Sequence, residues 1–311
     1  HGGFDGFNVT EKDPFRNSAF STATNEKASY QLHTLRRAIN IVSDTEDSQY
    51  NLITMPGIIQ NNVTDHLISV TEDRSDSMAI IDIDNVYTPN TENTQSVTAN
   101  NAATVTQIVD TLKDRNINNS YAATYAPWVL IRDSIANRTL WAPPSVAALG
   151  VLSSTDRSQG PWFAPAGFTR GGLTEGAAGI PILDVSRRYT QDQRDDLYDA
   201  GINPIAKFPA EGIVVFGQKT LQQTRSALDR INVRRLMIYL KREISFIASR
   251  LLFDPNTNIT WNRFRSRAEV VLKDVKARFG IEEFKLVLDE TTTTPDLVDQ
   301  NIIYAKLLVK P

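Results

Sequence analysis

A chain of 311 residues, 41% hydrophobic and 22% charged, is too long for one small core and suggests two globular domains. Its formal net charge of -3 argues against a protein whose main business is neutralising phosphates, so nucleic acid is not expected as a partner. It has no cysteine, which excludes disulfides and thiolate chemistry and suits a reducing compartment. No apolar run approaches the roughly 20 residues that a membrane helix requires, so a membrane is not expected as a partner either.

Residues 1–28 are polar and weakly patterned, and read as an N-terminal arm or loop; the start at His1 rather than Met reads as a fragment or a processed chain. Leu32, Leu35 and Ile39 space a short helix over Gln31–Asn40, on which His33 reads as an ordinary helical histidine rather than a ligand. Tyr50–Met55, a Pro56-Gly57 turn, a helix over Thr64–Asp73 and the apolar Met78–Ile83 then make strand, turn, helix, strand, a βαβ unit suited to a parallel sheet covered by helices. A second pass follows: Thr104–Arg115 is a helix with Val105, Ile108, Val109 and Leu112 inward, and Tyr121–Tyr125 with Trp128–Arg132 supplies strand material. Pro143-Pro144-Ser145 opens a small-residue helix reaching about Leu152, with proline where a missing N–H costs little.

Thr155–Pro181 is rich in glycine, proline and aromatic residues without periodicity, the texture of a functional loop or docking surface. Thr190–Ala200 is an acidic helix stopped by Gly201. Phe208–Leu240 is the stretch around which the chain is organised: a strand over Gly212–Phe216, a turn at Gly217, and a long helix opening near Thr220. Leu221, Leu228, Ile231, Leu236 and Tyr239 or Leu240 recur at helical intervals, while Gln222, Gln223, Arg225, Asp229, Arg230, Arg234 and Arg235 fill the other side. A solvated charged face is the plain reading of those arginines, and a partner surface the alternative. The helix continues to about Leu252 and ends at Asp254-Pro255-Asn256-Thr257. Trp261–Phe279 is a further helix capped by Gly280, and Phe284–Asp289 and Ile302–Val309 read as strands joined by a threonine-rich turn.

The same path carries no complete catalytic pattern. The glycines of Gly167–Gly179 have no following Gly-Lys-Ser/Thr, and Asp82 and Asp84 could present two carboxylates at a strand end but lack an evident third ligand. A Ser/His/Asp hydrolase would have to recruit His33 or His66, and neither lies beside a suggestive serine turn. Asp195 and Asp196 are adjacent on a helix and point different ways. No catalytic residue, cofactor or metal is therefore expected.

The chain resembles contractile tail sheath proteins of bacteriophages and related injection machines. The resemblance rests on Met55-Pro56-Gly57-Ile58, Ala126-Pro127-Trp128, Pro143-Pro144-Ser145, Thr155-Asp156-Arg157, Gly160-Pro161-Trp162-Phe163-Ala164-Pro165-Ala166-Gly167 and Gly201-Ile202-Asn203-Pro204-Ile205. It continues through Gly212–Leu221, Ile231-Asn232-Val233-Arg234-Arg235-Leu236 and Phe253-Asp254-Pro255-Asn256 with Trp261; each piece is weak alone, and their number and order are specific.

The resemblance implies a structural subunit that stacks in hexameric rings around a tail tube and contracts when the baseplate triggers, driving the tube through the host envelope. It implies an α/β middle domain over 29–200, subtilisin-like but without catalytic residues, and an α+β C-terminal domain over 201–311 that faces the tube. Chain termini in this family add strands to neighbouring sheets. The ends here look cut or altered, which implies a fragment lacking part of its terminal arms and monomeric in solution. The expected tube or subunit interface is Lys219, Arg225, Arg230, Arg234, Arg235, Lys241 and Arg242. The expected location is the virion tail, assembled in the host cytoplasm. The alternatives are a subtilisin-like serine hydrolase and, more distantly, a mostly β capsid or receptor-binding protein.

Overall fold

The computed structural model describes residues 30–84, 86–87, 103–133, 137–174 and 179–311; the expected arm over 1–28 lies outside them. Two compact modules divide between Arg234 and Arg235.

In the first module, helices α1 (Tyr30–Ile41), α2 (Asn61–Arg74) and α3 (Val105–Asp114) fall where helical periodicity puts them, α3 opening on a capping box between Thr104 and Gln107. Strands β1 (Leu52–Thr54), β2 (Met78–Ile81) and β3 (Ala122–Ala126) pair in parallel, as the βαβ reading requires. Every residue of β2 and β3 is buried, the mark of a sheet covered on both faces. Ala79, Ile81, Ala122 and Ala126 join one core with Leu32, Val63, Leu67, Ile108 and Leu112 of the three helices. Residues alternating with them, Met78, Ile80, Ala123 and Tyr125, are also buried, and α4 (Pro144–Ser158) packs against β2 and β3. Helix α4 runs beyond the expected Leu152, and in the added stretch Thr155 is buried with its hydroxyl donating back to the Val151 carbonyl at 2.9 Å.

Past the cis Ala126–Pro127 bond, β4 (Val129–Asp133) leaves the parallel sheet for an antiparallel one with β5 (Arg138–Ala142) and β6 (Ile182–Val185), in the order β5-β4-β6. Helix α5 (Gln191–Asp199) leads through Gly201, at φ +88°, into β7 (Ile202–Phe208), which returns antiparallel as β8 (Gly212–Val215). The large sheet thus has the order β1-β2-β3-β7-β8. A boundary at 200/201 cuts this sheet: β7 pairs with β3 in parallel, so the strands assigned to a C-terminal domain belong to the first module.

The far edge of β8 is closed by its own chain. Leu173 N–H donates to Ile213 O and Val215 N–H to Gly171 O, both at 2.8 Å, and Gly167 N–H donates to Val215 O at 2.9 Å. This gives part of the aperiodic Thr155–Pro181 stretch a structural task. Gly171 is required there, since a Cβ would stand 2.5 Å from Val215 O and 2.8 Å from Gly167 O.

In the second module, helix α6 (Ile231–Ser249), whose first turn lies in the first module, is followed by α7 (Asn258–Ala277), β9 (Glu283–Val287), the short α8 (Pro295–Asp299) and β10 (Lys306–Lys310). Leu251, Trp261, Phe264, Ala268 and Leu288 form its core. Helix α7 stops as expected, but Phe279, at φ +60°, takes the left-handed position, and Gly280 N–H reaches back to Val275 O at 2.8 Å. Strand β10 starts at Lys306 rather than Ile302, because Ile302 N–H is spent on the Leu297 carbonyl that ends α8.

Candidate assembly interface

The long helix does not open near Thr220. Asn203, fully buried on β7, takes hold of the chain first: its Oδ1 accepts from Lys219 N–H at 2.6 Å and its Nδ2 donates to Lys219 O at 2.8 Å and Thr124 O at 3.0 Å. Thr220 N–H then donates to Asp229 O, Leu221 N–H to Ala122 O and Ile231 N–H to Gln218 O, which folds 218–231 into a closed loop beside the sheet. Leu221 is buried in the sheet's core and not on a helical stripe; its seven-residue spacing to Leu228 is a coincidence of register.

This start point divides the expected charged face into three. Lys219 and Arg230, paired across an antiparallel bridge, gather around Tyr198 of α5: the Lys219 ammonium lies 4.2 Å from the ring centroid and Arg230 donates to the Tyr198 hydroxyl. Lys219 also lies 3.4 Å from Asp199, and Arg225 is exposed on the loop. Arg234 and Arg235 are only 8% and 3% exposed, so the structure corrects the expectation that they sit on an available face. Arg234 donates to Ser120 Oγ and stacks 4.0 Å from the Tyr121 ring centroid. Burial lowers its pKa, opposed by Tyr121 and Glu72. Lys241 and Arg242, two turns further along α6, are exposed.

The expected Asp82 and Asp84 pair separates because β2 ends at Ile81, so strand alternation no longer holds them on one face: Asp82 is buried and Asp84 exposed. Asp82 accepts from Gly57 N–H at 2.8 Å, Ser145 Oγ–H at 2.7 Å and Ser145 N–H at 3.3 Å, joining the turn after β1 to the first turn of α4. Burial pushes its carboxyl up to about 6 against these donors. Among the described residues there is no group of three or more His, Cys, Asp or Glu side chains placed to hold a metal. His66 Nε2 is 2.5 Å from Asn40 Oδ1, and Ser145 Oγ is engaged with Asp82.

Sequence reading missed one further clamp. Arg74, buried at the end of α2, donates to the carbonyls of Val42, Asp44 and Ser48 at 2.9, 2.9 and 2.8 Å and pairs with Asp76 at 2.9 Å, which fixes the α1–β1 connection. Its terminal position in a helix looks like ordinary surface charge, and no local signal distinguishes it.

The family model for the phage tail sheath protein central domain matches residues 22–221, and that for the phage tail sheath C-terminal domain matches residues 223–311. The chain belongs to the phage tail sheath family. Among its relatives, the tail sheath protein of Vibrio phage KVP40 is 36% identical over 204 residues, 66% of this chain and 29% of the relative. The tail sheath protein of Enterobacteria phage T4 is 33% identical over 196 residues, 63% of this chain and 29% of the relative. The match to this sheath-family chain thus spans about 29% of the length of these relatives. In fold it is similar to a chain of an extracellular contractile injection system, the PVC sheath complex in its contracted state. There the TM-score is 0.66 at 20% identity, over 88% of this chain and 70% of the other.

Proposed function

We propose that this chain is a structural subunit of a contractile tail sheath, which polymerises around a tail tube and contracts to drive the tube through the host envelope, and that it is not an enzyme. The observation that carries the reading is the succession of central-domain and C-terminal sheath matches over nearly the whole chain. In the particle, its partners are further copies in stacked hexameric rings, the tube protein and the baseplate; it is assembled in the host cytoplasm and ends in the virion tail. The first module corresponds to the subtilisin-like, non-catalytic middle domain of the family, and the second to the tube-facing layer.

Lys241 and Arg242, exposed on α6, are the cations best placed for a breakable polar contact with tube or neighbour, and Lys219, Arg225 and Arg230 form a second group on the loop before it. Such contacts suit a lattice that must release, because exposed ion pairs are individually worth about 0–1 kcal/mol. The strand pair β9–β10, antiparallel from Glu283↔Lys310 to Val287↔Lys306, is the sheet on which a neighbour's terminal strand adds. Electron microscopy of particles made without this chain tests the reading: a bare narrow tube in place of a thick tail is expected, and tails with an intact outer layer would refute it.

A further inference from the structure

Phe253, in the turn between α6 and α7, is 105% exposed and holds a φ of +71°. A side chain with a Cβ is strained in that left-handed region, where glycine or asparagine is the ordinary choice, and a phenyl ring left in water forgoes its burial. The fold of the second module therefore gains nothing from phenylalanine at this position.

The turn that displays it is rigidly built. Leu251 before it is in the module's core. Asp254 N–H donates to Leu251 O at 3.1 Å, and the Asp254 carboxylate meets Arg263 at 2.8 Å. Trp261 Nε1–H donates to Asn256 Oδ1 at 2.7 Å, Asn256 Nδ2 donates to Ile302 O at 3.1 Å, and Thr260 Oγ–H donates to Pro255 O at 2.8 Å. Leu252, next to it in the chain, and Ile259, in the first turn of α7, are also exposed, at 67% and 73%. An apolar side chain carried on a backbone fixed before binding adds no loop-ordering cost on docking, which suits an interface anchor.

The first module carries a surface that fits such an anchor. Phe168, Phe208 and Phe216 cluster with ring centroids 5.0, 5.6 and 5.2 Å apart at mutually tilted angles, and Phe168 and Phe216 are half exposed. Rings so arranged accept a further ring edge to face. Charge favours contact between unlike modules of two copies: the chain through Arg234 has 20 Lys and Arg against 26 Asp and Glu, whereas the chain from Arg235 has 13 against 10.

We propose that Phe253 of one copy docks on the Phe168–Phe208–Phe216 cluster of a second copy. The contact joins different surfaces of identical chains, so when it is not reciprocated by the same pair of copies it runs on from copy to copy into a ring or a helix. The proposal rests on the sheath reading and names one of its subunit contacts.

The test uses the particle that encodes the chain. Phe253→Asn leaves the thermal midpoint of the isolated chain unchanged or raised, because asparagine tolerates the left-handed backbone. It lowers the yield of assembled sheath about tenfold or more, the usual loss on truncating an anchor. A photo-reactive benzoylphenylalanine in place of Phe253 crosslinks, in intact particles, to a peptide of a second copy containing residue 168, 208 or 216. Normal sheath yield with Phe253→Asn, or a crosslink to another polypeptide or to another surface of the chain, overturns the proposal. Particles whose outer tail layer lacks the wild-type chain altogether refute the sheath reading itself, a failure distinct from a misplaced anchor.

Discussion

Asp82→Asn removes a buried charge while keeping an acceptor in its place. The carboxyl titrates near 6 in the fold instead of 3.8, because burial outweighs the hydrogen bonds from Gly57 and Ser145. A proton is thus held more tightly folded than unfolded, so this group favours folding below about pH 4, and that advantage is lost as pH rises through 6. At 1.36 kcal/mol per pKa unit, the charged form costs about 3 kcal/mol above that range. An asparagine oxygen can still accept from Gly57 N–H and Ser145 Oγ–H, while its NH2 faces Ser145 N–H, the longest of the three bonds at 3.3 Å. Losing that bond costs about 1 kcal/mol. The variant is therefore about 2 kcal/mol more stable than wild type at pH 7.5, and this lead shrinks by about 2 kcal/mol on going to pH 4.5. Urea unfolding of both chains at the two pH values measures the gap. A gap that does not change with pH would refute burial of the Asp82 charge as its source.

Three further outcomes follow from the geometry. Gly171→Ala forces a Cβ to 2.5 Å from a backbone oxygen that no rotamer change can move, and lowers stability by about 1–3 kcal/mol, several degrees in a thermal melt; an unchanged midpoint would mean that the 167–174 segment does not need its close approach to β8. Arg234→Ala strips the cation from the Tyr121 ring and Ser120 and destabilises by about 2–3 kcal/mol in urea, whereas the double change Lys241→Glu, Arg242→Glu stays within about 0.5 kcal/mol of wild type and lowers sheath yield. Normal assembly by that double variant would remove both cations from the interface.

The parallel core was legible because Val105, Ile108, Val109 and Leu112 repeat at helical spacing, and because Met78–Ile81 is a short apolar run closed by turn residues. Strand β7 was hidden by Pro204, which has no N–H to give a sheet. It is tolerated between β3 and β8 because its carbonyl accepts from Phe216 N–H at 2.8 Å. Strands β5 and β6 are five and four residues long, with mixed burial and no clean alternation to announce them. The charged face was misread for a different reason. Whether Arg234 meets water or Tyr121 depends on a chain segment more than a hundred residues away, and local pattern contains no long-range pairing. The late helix start has the same origin, since Asn203 captures Lys219 before a helix can form.

The covered edge of β8 has a consequence for how copies can be joined without entangling. An uncovered strand invites any extended peptide, and the proposed sheath of identical chains would hold its own sequence at very high local concentration. With residues 167–174 bonded along β8, that edge of the large sheet offers no vacant row of amides, and mispairing there would require peeling off a segment of the same chain. The small β9–β10 sheet meets the same hazard differently. Lys306, Leu308 and Lys310 alternate outward along β10, so an incoming strand must tolerate two lysines in register. Selectivity against the wrong strand is thus built in by coverage in one module and by charge in the other.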